Sequence, residues 1–257
     1  LKRPLSVVLE SEVPVLMHVV TTKGAGYGPA VEHPDVFHGI GPFDIETGKV
    51  KASSSGKPKY TSVFGKALIA EAEKNQDIVA ITAAMKDGTG LAGFAERFPK
   101  RFVDTGITEE HACALASGLA LGGKRPVLAV YSTFMQRAFD QMVINNALPD
   151  LDVVFCLDRA GLVGDDGPTH HGVFDIAYTR IVPNMTAMAP SDEAELVDML
   201  HTALTLHGPV SIRYPRGEGR GVPLPEEPRV LEVGKSRTVR EGDDVAILAF
   251  GRMVQEA

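Results

Sequence analysis

Side chains able to do chemistry gather in four short stretches of this sequence, each following an apolar run. Asp104-Thr-Gly-Ile-Thr-Glu-Glu-His111 brings three carboxylates and an imidazole. Tyr131-Ser-Thr-Phe-Met-Gln-Arg137 brings a phenol, a second aromatic ring and a guanidinium. Asp158-Arg-Ala-Gly161 opens with an acid–base pair and runs into Val163-Gly-Asp-Asp-Gly-Pro-Thr-His-His-Gly172, a Gly-rich polar loop too long for a simple turn. Arg213-Tyr-Pro-Arg-Gly217 adds two more guanidinium groups. Carboxylates and imidazoles move protons near neutrality, and guanidinium groups bind phosphate or carboxylate through paired N–H donors. Taken alone, the first stretch reads as a helix start, with Thr108 as N-cap and Glu109 and Glu110 complementing the dipole. Four such stretches on one edge of one sheet describe a site.

The elements that would position them follow from the alternation of apolar runs. Strands are expected at Ile78–Ala83, Phe102–Ile107, Val127–Tyr131, Val153–Leu157, Met185–Ala189 and Val210–Tyr214, with helices at Val63–Lys74, Glu109–Leu121, Phe134–Leu148 and Asp192–Leu206. Short apolar strands alternating with helices of this length predict an α/β fold, a doubly wound parallel sheet covered on both faces. Ligands bind such sheets outside the carboxyl ends of the strands, which is where the four stretches fall. Ser191 is the expected N-cap of the last helix. Outside this region, Val13–Thr22 and Val245–Phe250 read as strands, while Lys49–Lys59 and Pro215–Pro228 read as tethers by composition. The expected organisation is a domain tail and linker over 1–59, a whole domain over 60–220, and a linker with the start of a further domain over 221–257. Residues 1–257 are thus expected to be a piece of a longer chain.

Composition narrows the classes. The 257 residues are 44% hydrophobic, enough for a sizeable core, and 26 basic against 33 acidic residues leave a net charge of −7. An acidic surface argues against general binding to nucleic acid or anionic membranes. No apolar run reaches the ~18–20 residues of a membrane span, and Cys113 and Cys156 are expected as buried thiols of a cytoplasmic protein. Gly118-x-x-x-x-Gly123-Lys124 imitates a phosphate-binding loop, but it closes a helix and continues into Arg125 rather than Ser or Thr. Gly24-Ala-Gly26-Tyr-Gly28-Pro29 lacks the third glycine of a dinucleotide fingerprint. The pairs His33/His38 and His170/His171 lack a zinc-site partner set, so no metal site is expected from this chain alone.

The same segments carry a resemblance. The strings KGAGY (23–27), FHGIGPFD (37–44), ITEEHA (107–112), VYSTFMQRAFDQ (130–141), DRAGLVGDDGPTHHGVFD (158–175), PSDE (190–193) and RYPRG (213–217) resemble the 1-deoxy-D-xylulose-5-phosphate synthases. These are thiamine-diphosphate enzymes of the transketolase group, and the likeness covers nearly the whole chain. It implies a pyrimidine-binding, transketolase-like domain with partial flanking domains. The implied reaction is decarboxylation of pyruvate and transfer of the remaining two carbons to D-glyceraldehyde 3-phosphate. That would be the first step of the non-mevalonate isoprenoid precursor pathway, also supplying thiamine and pyridoxal synthesis.

Residue by residue, the resemblance makes Glu109 the carboxylate on the pyrimidine N1′, which favours the tautomer able to deprotonate C2 of the thiazolium. Glu110 stands where the family commonly has Gln. Phe134 is implied to pack on the pyrimidine ring and Tyr27 to lie at the cofactor edge. Arg159 and Arg216 correspond to the phosphate-binding pair. Tyr131, Arg137, Asp166 and His170 correspond to groups around the reacting carbons, and His38 to a histidine donated by the linker. Mg2+ and the diphosphate are implied to be held by a GDG…N segment in a preceding domain; Asp87-Gly-Thr-Gly90 is not that segment. The chain alone is therefore expected to bind cofactor weakly and to be inactive. The group forms homodimers. A related carboligase or 2-oxoacid dehydrogenase subunit is the alternative within the group, and a non-catalytic binding module the alternative outside it. The strings around Arg137 and Asp166–His170 disfavour the former, and the intact Glu109, Asp166, His170 and arginines the latter.

Overall fold

A computed structural model describes residues 2–34, 36–50 and 56–257, and the chain divides into two units, residues 1–54 and 55–257. The first unit contains helices α1 (Lys2–Leu9) and α2 (Gly28–Glu32) and a 3₁₀ turn at Val36–His38. Its centre is aromatic: the rings of Tyr27, Phe37 and Phe43 meet pairwise at 5.3–5.9 Å. The strand expected at Val13–Thr22 does not form; the segment is irregular and exposed, without a ladder partner among the described residues. Branched residues favour a strand only where a neighbour takes the backbone hydrogen bonds. Much of the Lys49–Lys59 tether (residues 51–55) lies outside the described residues.

In the second unit, six strands form one parallel sheet: β1 (Ile78–Thr82), β2 (Phe102–Asp104), β3 (Arg125–Tyr131), β4 (Val154–Asp158), β5 (Thr186–Met188) and β6 (Val210–Arg213), in the order β2-β1-β3-β4-β6-β5. Strand periodicity divides their side chains between two cores. Ile78, Ala80, Val127, Ala129, Val154 and Cys156 face one, packed under α3 (Tyr60–Lys74), α4 (Ala92–Arg97) and α9 (Glu193–Thr205). Val79, Ile81, Leu128, Val130, Phe155 and Leu157 face the other, under α5 (Glu109–Leu121) and the segments that follow β3. Two buried faces explain why these strands read as continuous apolar runs.

Phe134–Leu148 is not one helix. It runs as α6 (Ser132–Met135), a 3₁₀ turn (Gln136–Ala138), α7 (Phe139–Gln141) and a π-helical turn (Met142–Ala147). The buried Asn146 donates its amide to the Gln141 carbonyl (3.2 Å) and the Cys113 sulfur (3.2 Å). A side chain inserted into the backbone ladder shifts the register in this way. Helix α8 (Asp175–Ile181), short and without strong periodicity, precedes β5.

Four local expectations need correction. The N-cap of α9 is Asp192, which accepts from Glu195 N (2.9 Å), while Glu195 reaches back to Ser191 N (2.6 Å), a reciprocal capping pair. Thr108 sits at the N-cap of α5 but turns its hydroxyl to the Thr105 carbonyl (2.8 Å). Val245–Phe250 forms no strand and is exposed, without a ladder partner among the described residues. Nor is Pro215–Pro228 a loose tether. Tyr60 N donates to Gly217 O and Gly219 N to Pro58 O, and the buried Glu193 carboxylate accepts from the backbone N–H groups of Arg220, Gly221 and Val222. Composition marks a segment free of regular structure; it says nothing of side chains that pin it from elsewhere.

Candidate active site

In this strand order the chain leaves β1 toward β2 on one side and later adds β3 on the other, so the carboxyl ends of β1 and β3 flank a topological switch point, the usual ligand crevice of such sheets. The loop after β1 carries Gly88 to this point and β3 ends there in Tyr131. The approach is so close that a Cβ on Gly88 would lie 1.8 Å from the Tyr131 oxygen. Only glycine fits.

From Tyr131 the site extends both ways. Its ring stacks on Phe134 (5.6 Å, 21° between planes), and His170 stands edge-on to Phe134 at 5.2 Å. Arg159 lies over the Tyr131 ring, its Cζ 3.9 Å from the centroid, and donates to the Gly88 carbonyl. Such a cation–π contact is worth ~1 kcal/mol. Burial pushes the Tyr131 phenol above its ordinary range, with Arg159 opposing and Asp158 and Asp166 adding to the effect. It therefore remains a neutral donor at physiological pH.

Arg159 is held by its predecessor. Asp158, fully buried at the end of β4, accepts from Arg159 N (2.7 Å) and the Thr61 hydroxyl (2.9 Å) and lies 3.0 Å from the Arg159 guanidinium. Burial raises its carboxyl to about 6 despite the opposing Arg159 and these hydrogen bonds. Arg159 itself has a left-handed backbone (φ 61°), which turns its side chain back across the strand ends. Asp166 brings a carboxylate oxygen to 3.2 Å from Arg216 Nε and 3.8 Å from Arg159 Nε, and Arg216 also donates to Val163 O (3.2 Å). The 163–172 loop is fastened by Gly172, paired with Gly161 through both backbone bonds, and by Thr133 Oγ1 donating to Thr169 O (3.1 Å).

Glu109 opens α5 and is 2% exposed, whereas Glu110 faces solvent. One carboxylate oxygen of Glu109 is buried with no hydrogen-bond partner; its nearest cation, Arg137 Nη1, is 3.8 Å away, too far for a hydrogen bond. An unpaired buried carboxylate oxygen is costly and calls for a donor that the described residues do not supply. The protonated ring nitrogen of an aminopyrimidine fits that requirement.

The second unit thus brings together Tyr131, Phe134, His170, Arg159, Asp166 and Arg216 in one continuous set of contacts, and pairs Glu109 with Arg137. Tyr27 and His38 belong to the first unit, where the Tyr27 hydroxyl donates to Ile45 O (2.8 Å) and His38 is exposed in its 3₁₀ turn. Sequence reasoning missed Gly88, Asp158 and Thr61 as supports of the site. Only Asp158 had a legible signal, its place beside Arg159. Two cavities, of about 520 and 480 Å³, lie at the opposite edge of the sheet, one bounded by Arg97, Phe98 and Arg101, the other by Lys124, Arg125, Asp152 and His207. Among the described residues, no cluster of His, Cys, Asp and Glu is disposed to hold a metal ion.

Comparison with known proteins accords with this geometry. Residues 56–221 match the family described as transketolase, pyrimidine binding domain. The chain belongs to that family. A curated 1-deoxy-D-xylulose-5-phosphate synthase from Syntrophomonas wolfei is 54% identical over 100% of this chain and 40% of its own length. Those from Geobacter sulfurreducens and Magnetococcus marinus are 57% identical over 95% of this chain and 38% and 39% of theirs. The chain spans about 40% of the length of these relatives. Among solved structures, a split-gene transketolase described as an inactive β4 tetramer is 32% identical, with a TM-score of 0.67 over 78% of this chain and 65% of that one. A Campylobacter jejuni transketolase (22% identical, TM-score 0.59, covering 68% and 28%) shares the fold. No helix is long and apolar enough to cross a membrane.

Proposed function

We propose that these residues form the pyrimidine-side half of a 1-deoxy-D-xylulose-5-phosphate synthase. This enzyme would join two carbons of pyruvate, after loss of CO2, to D-glyceraldehyde 3-phosphate. The observation that carries the reading is Glu109: a carboxylate at a helix start, buried, with one oxygen lacking a donor, in a domain of the pyrimidine-binding family. Thiamine diphosphate, when bound, supplies the carbon acid and the electron sink. Glu109 would hold a proton at the pyrimidine N1′, and Phe134 would offer its face to that ring. Among the described residues, no cluster of carboxylates, imidazoles or thiols fits Mg2+.

The acceptor carries a phosphate dianion, which Arg159 and Arg216 would bind; guanidinium groups suit its geometry and charge. Tyr131, as a neutral phenol, would donate to an acceptor oxygen. Asp166 and Arg137 would contact acceptor hydroxyls, and His170, whose ring stands against Phe134, would pass protons at the reacting carbons. Roles for His38 beside the substrate and Tyr27 at the cofactor edge rest on the resemblance alone. We place residues 1–59 in the tail of the diphosphate-binding domain and its linker, and 221–257 in a linker to a further domain. A cytoplasmic homodimer is the corresponding assembly. The split-gene transketolase supports the pyrimidine-side domain as a separable folding unit.

The test joins this chain to a diphosphate-binding domain and measures CO2 release from pyruvate and formation of the five-carbon sugar phosphate. Glu109→Ala should abolish both and Glu110→Gln should leave both intact. Full activity in Glu109→Ala would sink the assignment.

A further inference from the structure

The two arginines proposed to bind the acceptor phosphate already face an anion, and it belongs to the protein. One oxygen of Asp166 stands 3.2 Å from Arg216 Nε and 3.8 Å from Arg159 Nε. The fit is incomplete. At 3.8 Å no hydrogen bond reaches Arg159, whose buried Nε has no hydrogen-bond partner among the described residues. As placed, the Asp166 carboxylate leaves the Arg159 ε nitrogen without a hydrogen bond, whereas a tetrahedral dianion has the oxygens and the charge to engage both arginines. Asp166 also has somewhere to go: its side chain is 22% exposed, in a short 3₁₀ turn (Gly164–Asp166) on the rim. The other charges on this cluster are accounted for. Asp158 lies under Arg159 and is held by Thr61, and Tyr131 is a neutral phenol.

We propose that Asp166 is a specificity-determining residue: a built-in competitor anion that closes the arginine pair to monoanions and yields it only to a phosphate dianion. This rests on the synthase reading for the acceptor's identity. A monoanionic carboxylate, pyruvate among them, would exchange one carboxylate for another and gain nothing. A dianion gains a second charge and the unpaired Arg159 donor. Its arrival releases the Asp166 side chain, so phosphate binding and the freeing of a carboxylate beside the acceptor become one event.

The test needs no turnover and uses the 257-residue chain. Binding of inorganic phosphate and of acetate is measured by titration calorimetry at pH 8 and fixed ionic strength, for the unmodified chain, Asp166→Asn and Asp166→Ala, with folding checked by circular dichroism. Removing one negative charge about 4 Å from the arginines should tighten phosphate binding about tenfold. Acetate should show no measurable binding to the unmodified chain and should bind both variants. The Ala variant controls for any new hydrogen bond made by Asn. Unchanged or weaker phosphate binding in both variants overturns the proposal, as does acetate binding equally to all three proteins. Absence of phosphate binding throughout also overturns it, while the synthase reading stands or falls separately on product formation by the joined enzyme.

Discussion

The buried carboxyl of Asp158 offers a test of the forces that build the site. Its folded-state value of about 6 lies above the ordinary 3.8, because the cost of burying the charge exceeds what Arg159, Thr61 and the backbone N–H return. The folded protein therefore binds this proton more tightly than the unfolded chain does. Stability from that proton is fully present below about pH 3.8 and is lost as pH rises through about 6. Two pH units correspond to about 3 kcal/mol at ~1.36 kcal/mol each. Asp158→Asn keeps the shape and cannot titrate, and other carboxylates cancel in the difference between the two proteins. Urea unfolding followed by circular dichroism at pH 4, 5, 6 and 7 should show the unmodified protein gaining about 2.5 kcal/mol of that on the variant as pH falls from 7 to 4. A difference that stays flat, or one that grows toward neutral pH, would mean that the Arg159 ion pair outweighs desolvation, and the reasoning would be refuted.

Other consequences follow from close contacts. Gly88→Ala should displace Tyr131 and with it Arg159, costing about 1–3 kcal/mol in thermal unfolding and raising the KM for the phosphorylated acceptor more than that for pyruvate. Equal KM values in variant and parent would show that Tyr131 is not held by this contact. Glu193→Gln turns an amide NH2 toward the N–H groups of Arg220, Gly221 and Val222 and should cost about 2–3 kcal/mol, with faster proteolysis between residues 215 and 231 as the local readout. Burial pushes the thiol of Cys113 up to about 12 and raises that of Cys156 as well. Both should react with a thiol-specific disulfide reagent at least a hundredfold more slowly in the native protein than in urea. Rapid native labelling would mean that the sheet core opens readily.

The alternation of apolar runs was enough to specify six parallel strands and the helices α3, α5 and α9, because a sheet buried on both faces leaves no polar interruptions within a strand. The same pattern put Glu109, Tyr131, Asp158 and Arg213 at strand ends or helix starts, and parallel strands make those ends one edge. Periodicity could not say which way a segment breaks when a distant side chain enters its ladder, as Asn146 does in the expected helix at 134–148. Nor could it show that Val13–Thr22 and Val245–Phe250 lack the neighbour a strand requires. The support of the site was decided by tertiary structure alone: the absence of a Cβ at Gly88 matters only because Tyr131 arrives from another strand, and Thr61 meets Asp158 only after α3 packs on the sheet. Charge assignment was decided there too. A sequence lists Asp166, Arg159 and Arg216 as separate charges, and only folding brings one carboxylate between two guanidinium groups and leaves an oxygen of Glu109 without a donor.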